Sequence, residues 1–251
     1  MPKILVFANQ KGGVGKTTSA VNIGAYIAVK GRRVLLIDFD PQGNLSSSVG
    51  ADTSKGGVYE VITEEIELQS AIQSTSVENL YVIPANINLT GATVELVDHE
   101  NREFFLKRSL DGFNSGYDYI LIDCPPSLGL LTLNGLVAAE HVLIPLQCEY
   151  LALEGLTRLL KTISQVQRKL NPSLKIGGIL FTMYDQRTRL AHEVVQEVTS
   201  YFKEKVFRTI IPRNVRISEA PSFSKPINQY DPLCIGARSY DKLADEVLAH
   251  V

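Results

Sequence analysis

The stretch Lys11-Gly12-Gly13-Val14-Gly15-Lys16-Thr17-Thr18 decides how the rest of this 251-residue chain is read. An apolar run, Ile4-Leu5-Val6-Phe7-Ala8, precedes it and reads as a buried strand, while Ala20 to Ile27 follows it and reads as a helix. A glycine-rich turn between strand and helix aims several backbone N–H groups, and the positive end of the helix, at one point. Gly12, Gly13 and Gly15 put no side chain in the way, so phosphate oxygens can come close to the backbone, with Val14 and Thr18 completing the loop. Lys16 then reaches the β and γ phosphates, and the Thr17 hydroxyl takes one position on Mg²⁺. Spacing, flanking elements and the Lys-Thr pair agree on a nucleoside triphosphate site.

Two further apolar runs end in carboxylates. Val34-Leu35-Leu36-Ile37 leads into Asp38-Phe39-Asp40-Pro41-Gln42-Gly43-Asn44, and continuous branched aliphatics suit a strand covered on both faces of a parallel sheet. Asp38 and Asp40, two apart on an extended chain, are expected to point the same way, toward one metal-phosphate site. The C-terminal end of such a strand is where open α/β sheets place their ligands. Tyr119-Ile120-Leu121-Ile122 closes on Asp123, the Walker B arrangement, whose carboxylate holds Mg²⁺ directly or through water. Pro125-Pro126 gives that strand a stiff exit.

Strand and helix patterns keep alternating. Val142 to Leu146 reads as a strand, Leu151 to Leu170 as a long helix, Ile176 to Thr182 as a strand, and Arg189 to Phe202 as a helix. That alternation predicts an α/β fold, a doubly wound, mostly parallel sheet flanked by helices, in one domain over residues 1–251. Ala51 to Glu100 fits less cleanly and is expected to decorate the sheet edge as short helices and one strand at Leu80 to Ile83.

Composition narrows the function classes. The three cysteines, Cys124, Cys148 and Cys234, are scattered with no C-x-x-C, which argues against zinc or a redox motif. The four histidines lack metal-ligand spacing. The N-terminal apolar run is too short for a signal sequence, and no segment approaches the roughly 20 apolar residues of a spanning helix. Charge is uneven within a chain of net charge −2: from Arg158 to Arg216 there are twelve basic residues and four acidic ones. Such a positive region suits phosphate-backbone binding, and the lack of a helix-turn-helix, zinc finger or RNA-recognition motif predicts sequence-independent contact.

Lys11 is a second cation that a single phosphate cradle does not need. With it, the motif resembles the deviant Walker A ATPases, most closely the small ParA-type (Soj-like) partition ATPases. The resemblance runs from Lys3 to the C-terminal helix and is carried also by D-F-D-P-Q-G-N and by P-R-N-V-R-I-S-E-A-P-S. It implies an ATP-sandwich homodimer with Mg²⁺, in which Lys11 contacts the nucleotide of the other subunit and neutralises charge beside Lys16. It implies that Asp40 orients or deprotonates the attacking water, that Asp38 lies nearer the Mg²⁺ shell, and that Pro125-Pro126 belongs to a second switch. It places nonspecific double-stranded DNA on Arg187, Arg189 and Arg216, and it implies a ParB/Spo0J-type centromere-binding partner that stimulates hydrolysis in a nucleoid-associated, cytoplasmic protein. Pro212 and Asn214 are candidates for packing against and reading an adenine base.

Relatives of that family differ by what they carry. MinD-type ATPases bind membranes through a basic amphipathic C-terminal helix, whereas here Asp241, Asp245 and Glu246 give the polar face the wrong sign for anionic lipid, so no membrane partner is expected. The nitrogenase iron protein needs cluster-ligating cysteines. Larger partition ATPases carry an N-terminal DNA-reading domain, whereas this chain starts at the first strand. The alternative reading is a MinD-like or regulatory nucleotide-gated switch acting on a protein partner such as the replication machinery.

Overall fold

The computed structural model describes residues 1–113, 116–149 and 152–251. Seven strands form one sheet: β1 (Lys3–Phe7), β2 (Val34–Asp38), β3 (Gln73–Ser74), β4 (Leu80–Ile83), β5 (Tyr119–Asp123), β6 (His141–Gln147) and β7 (Lys175–Thr182). Their spatial order is β3-β4-β2-β5-β1-β6-β7, and among the described residues β3 alone runs antiparallel to its neighbour. The helices in chain order are α1 (Lys16–Val29), α2 (Asn44–Ser48), α3 (Val58–Ile62), α4 (Leu89–Glu95), α5 (Phe105–Leu110) and α6 (Leu130–Ala138). They continue as α7 (Ala152–Lys169), α8 (Arg189–Phe202), α9 (Val215–Glu219), α10 (Ile227–Tyr230) and α11 (Ile235–His250). Leu151, where the sequence reading begins the long helix, lies outside the described residues.

The sheet has a core on each face, which is why its strands are uninterrupted apolar runs. Val6, Leu35, Ile37, Ile120 and Ile122 point into one core, with α5, α6 and α7, while Leu5, Phe7, Val34, Leu36 and Leu121 point into the other, with α1 and α11. On the second face a Cβ at Gly24 of α1 would come within 2.8 Å of Leu36 Cδ2, so the glycine sets how closely helix and sheet approach. The apolar face of α11 buries Tyr240, Leu243 and Val247, and the Tyr240 hydroxyl lies 3.2 Å from Ser19 Oγ of α1.

The edge region differs from expectation in one respect. Leu80 to Ile83 is a strand, but it sits inside the sheet between β2 and β3. The outermost β3 is two residues long, too short to show a periodicity in sequence.

The register sets up the site. Phe7, Asp123 and Asp38 lie side by side at the C-terminal ends of β1, β5 and β2. The chain leaves β1 into the glycine turn directly above this row.

Candidate functional site

Gly15 caps α1 with φ 82° and Gly13 has φ 71°, both left-handed conformations that a Cβ would strain. The first turn of α1 has no side-chain cap and no acidic residue, so its amides face an open cleft. Thr182, the last residue of β7, holds the loop from behind: its Oγ1 donates to Val14 O at 2.8 Å. Lys16 is buried, and its Nζ folds back over the turn to donate to Lys11 O at 3.3 Å. Burial pushes the Lys16 ammonium's pKa down, and Asp123 and Asp40 pull it back up. An anion in the turn would satisfy that ammonium better than a single carbonyl does.

Thr17 Oγ1 donates to Asp123 Oδ2 at 2.6 Å. Asp123 has no exposed surface, and its Oδ1 has no hydrogen-bond partner among the described residues. Burial, followed by the neighbouring Asp38 carboxylate, pushes the Asp123 pKa well up. An orphaned, buried carboxylate oxygen beside a threonine hydroxyl fits a hard divalent cation that takes its remaining ligands from phosphate and water. Among the described residues no set of three His, Cys, Asp or Glu side chains could hold a metal alone.

Asp38 and Asp40 are held by different partners, and of the two Asp40 lines the cleft. Asp38 Oδ2 accepts from Ser46 N at 2.8 Å and Ser46 Oγ at 2.6 Å, and its Oδ1 accepts from Asp40 N at 3.3 Å. The strand ends at Asp38, and Asp40 N donates back to it across a local turn. Asp38 thus anchors α2 while its carboxylate lies near that of Asp123, with burial pushing its pKa up to about 6 against the Ser46 hydrogen bonds. Asp40 lines the cleft, with Oδ1 accepting from Gln42 N at 3.0 Å.

The cleft is a cavity of 660 Å³. One end is the phosphate loop with Asp40; the other is walled by Met183, Pro212, Arg213, Asn214 and Pro221. Backbone pairing of Tyr184 N to Ile211 O and of Arg213 N to Tyr184 O, both 3.0 Å, holds the Pro212 segment against the exit of β7. Asn214 caps α9 through Oδ1, which accepts from Ile217 N at 3.3 Å. Met183, which the sequence reading missed, adopts φ 49°, a conformation a non-glycine residue seldom takes.

Lys11 lies apart from the cleft lining and forms an ion pair with Glu149, a residue 138 positions away that no sequence signal marks. Both side chains are partly exposed, 39% and 46%. Gly12 lies beside Pro126: a Cβ there would sit 3.7 Å from Pro126 Cβ, in ordinary contact.

The three arginines of the expected DNA surface are each paired with an acid. Arg187 forks onto Asp185 at 2.8 and 2.6 Å, Arg189 meets Glu193 at 2.7 Å, and Arg216 meets Glu219 at 3.0 Å and Asp231 at 3.5 Å. The Asp185 carboxyl is held well below the usual range by hydrogen bonds from the Arg187 side chain and backbone.

A family model described as an AAA domain matches residues 2–176. The chromosome-partitioning ATPase Soj of Treponema pallidum is 61% identical over 250 residues, covering 99% of this chain and 98% of that protein. The sporulation initiation inhibitor protein Soj of Bacillus subtilis is 54% identical over 252 residues, covering 100% of both. A solved structure from Mycobacterium smegmatis, described as cobyrinic acid a,c-diamide synthase with bound ATP analogue and magnesium, has a TM-score of 0.86 and 42% identity, over 100% of this chain and 96% of that one.

Proposed function

The chain belongs to the family of Soj/ParA chromosome-partitioning ATPases, and from that membership we propose a cycle in which ATP closes two copies into a dimer, the dimer holds double-stranded DNA without sequence preference, and hydrolysis releases it. The activity is that of a partition ATPase, converting ATP and water to ADP and phosphate with Mg²⁺. The reading takes residues 1–251 as one ATPase domain working in the cytoplasm at the nucleoid, with a ParB/Spo0J-type centromere-binding protein as the stimulating partner. Among the described residues no helix is long and apolar enough to cross a membrane.

The observation that carries the proposal is that the cleft is lined by the glycine turn and by Thr17, whose hydroxyl donates to Asp123, a buried carboxylate with one orphaned oxygen directly behind it. In this cycle the Lys16 ammonium leaves Lys11 O for the β and γ oxygens. Thr17 and Asp123 would hold Mg²⁺, whose charge would offset that of the phosphates. Asp40 orients the attacking water and accepts its proton as the oxygen bonds to the γ phosphorus and the bond to the ADP oxygen breaks. Pro212 and the Asn214 amide face the base. Lys11 exchanges Glu149 for the γ phosphate held by the partner subunit, where it acts as an arginine finger does elsewhere. Arg187, Arg189 and Arg216 exchange their acids for DNA phosphates. Exposed ion pairs contribute little because water and salt screen them, so each exchange costs little.

Binding of a fluorescent ATP analogue to wild type and Lys16→Ala tests the site. Removing one positioned donor to a phosphoryl group costs on the order of 10²–10³ in turnover, and Lys16→Ala should also lose measurable nucleotide binding. Retained affinity would mean that the turn is not the phosphate cradle.

A further inference from the structure

The positive region from Arg158 to Arg216 divides into two parts of different character. Residues 155–184 contain no Asp or Glu, yet include Arg158, Lys161, Arg168, Lys169 and Lys175. All four acids of the wider region, Asp185, Glu193, Glu197 and Glu204, fall in the second part, where Arg187, Arg189 and Arg216 are each ion-paired and the exposed face of α8 carries Glu193 and Glu197.

The acid-free part is built on α7. Its buried residues Leu156, Leu159, Ile163 and Val166 fix which side faces the core. The opposite side exposes Arg158, Lys161, Gln165, Arg168 and Lys169, at spacings of three and four residues that align them along one face. Arg158 pairs with Glu154 in the first turn. Beyond it, Lys161, Arg168 and Lys169 form no ion pair among the described residues; Arg168 Nε donates only to Ser164 O within the helix, at 3.3 Å. From Arg158 to Lys169 the row runs about 16 Å at 1.5 Å per residue, roughly the length of five base-pair steps of 3.4 Å measured along the axis of a duplex. Thr157, Ser164 and Gln165 on the exposed side add neutral polar groups that can donate to phosphate oxygens.

We propose that the exposed face of α7, through Lys161, Arg168 and Lys169, is a second track for the phosphate backbone of double-stranded nucleic acid, separate from the arginines at 187, 189 and 216. The inference rests on the reading that the ATP-bound protein holds nucleic acid. The difference between the two cation sets is their partners: the arginines must each leave a carboxylate, whereas the α7 cations carry uncompensated charge and release counterions directly. A track without base-reading side chains contributes affinity and salt dependence, and no sequence preference.

The test compares wild type, the α7 variant Lys161→Gln/Arg168→Gln/Lys169→Gln, and Arg187→Ala/Arg189→Ala/Arg216→Ala. Each is titrated with a random-sequence 40-bp duplex in the presence of Mg²⁺ and a non-hydrolysable ATP analogue, from 50 to 200 mM salt. Glutamine keeps helix propensity at exposed sites, and an unchanged melting temperature and analogue affinity establish an intact fold and cleft. The proposal expects the α7 variant to bind at least about 10-fold more weakly than wild type, with a log–log salt slope shallower by about 2 to 3, since each phosphate contact contributes about 0.9. An α7 variant with wild-type affinity and slope would overturn it while leaving DNA binding in place. If wild type itself is not retained on the duplex at 50 mM salt, the DNA-binding reading fails. If the α7 variant keeps the duplex but loses retention on vesicles of phosphatidylserine and phosphatidylcholine, the track serves a lipid surface and the assignment to nucleic acid is wrong.

Discussion

Thr17 and Asp123, 106 residues apart, meet through a 2.6 Å hydrogen bond that leaves one buried carboxylate oxygen without a partner. The bond joins the start of α1 to the end of β5, so the two nucleotide motifs of the sequence become one site. Asp123→Asn keeps the shape and removes the charge. It should weaken Mg²⁺ binding with ATP by about 10- to 100-fold, the range for losing a group that orients a metal's ligands, while nucleotide binding without Mg²⁺ changes little. Titration of Mg²⁺ against a fluorescent nucleotide reads this directly, and an unaltered Mg²⁺ dependence would remove Asp123 from the site.

Gly12 is exposed, and a Cβ there would only touch Pro126. Gly12→Val should therefore fold and bind ATP as wild type does, yet fail to dimerise, because in the proposed dimer its bulk projects toward the second copy. Sedimentation velocity with and without ATP checks both halves. A normal ATP-dependent dimer would mean that the loop does not face the partner subunit.

The Lys11–Glu149 ion pair is half-exposed and worth at most about 1 kcal/mol. Glu149→Gln should leave the melting temperature nearly unchanged and free Lys11, shifting the ATP-dependent monomer–dimer equilibrium toward dimer by up to roughly 5-fold. Lys11→Ala should bind ATP and lose stimulated turnover by a factor on the order of 10³. A dimer weakened by Glu149→Gln would show that Glu149 serves the interface in another way.

His141 begins β6 with its Nδ1 buried and unpartnered among the described residues. Burial pushes its pKa down, Glu140 opposes, and Lys175, Lys3 and Lys205 add to the lowering. Because the folded pKa lies below the unfolded value, the unfolded chain binds the proton more readily, and stability is lost as pH falls through the range just below 6.5. His141→Gln cannot titrate, so its melting temperature should fall less than that of wild type between pH 7.5 and 5.5. Parallel pH profiles for the two proteins would show that His141 does not contribute.

Much of this was legible in the sequence because it is local or because it is apolar. The runs at Ile4, Val34, Tyr119 and Val142 announce strands buried on both faces, and the Lys11–Thr18 motif encodes its own turn. The hydrogen-bond partners of Asp38 were not legible, since they come from a turn that Asp38 itself makes with Asp40 N and from Ser46 eight residues away. Glu149 and Met183 were missed for the same physical reason: their roles come from where distant strands end. Charge counting found a positive region but could not tell which cations lie beside acids and which stand alone on α7.

The most direct measurement of the central claim is sedimentation of Asp40→Ala with Mg²⁺ and ATP, with and without duplex DNA, alongside its rate of phosphate release. The account predicts monomer without nucleotide, a persistent dimer with ATP that co-sediments with DNA, and phosphate release reduced by a factor on the order of 10²–10⁴, the usual contribution of a positioned general base. An Asp40→Ala protein that hydrolyses ATP at the wild-type rate, or stays monomeric with ATP bound, would contradict it.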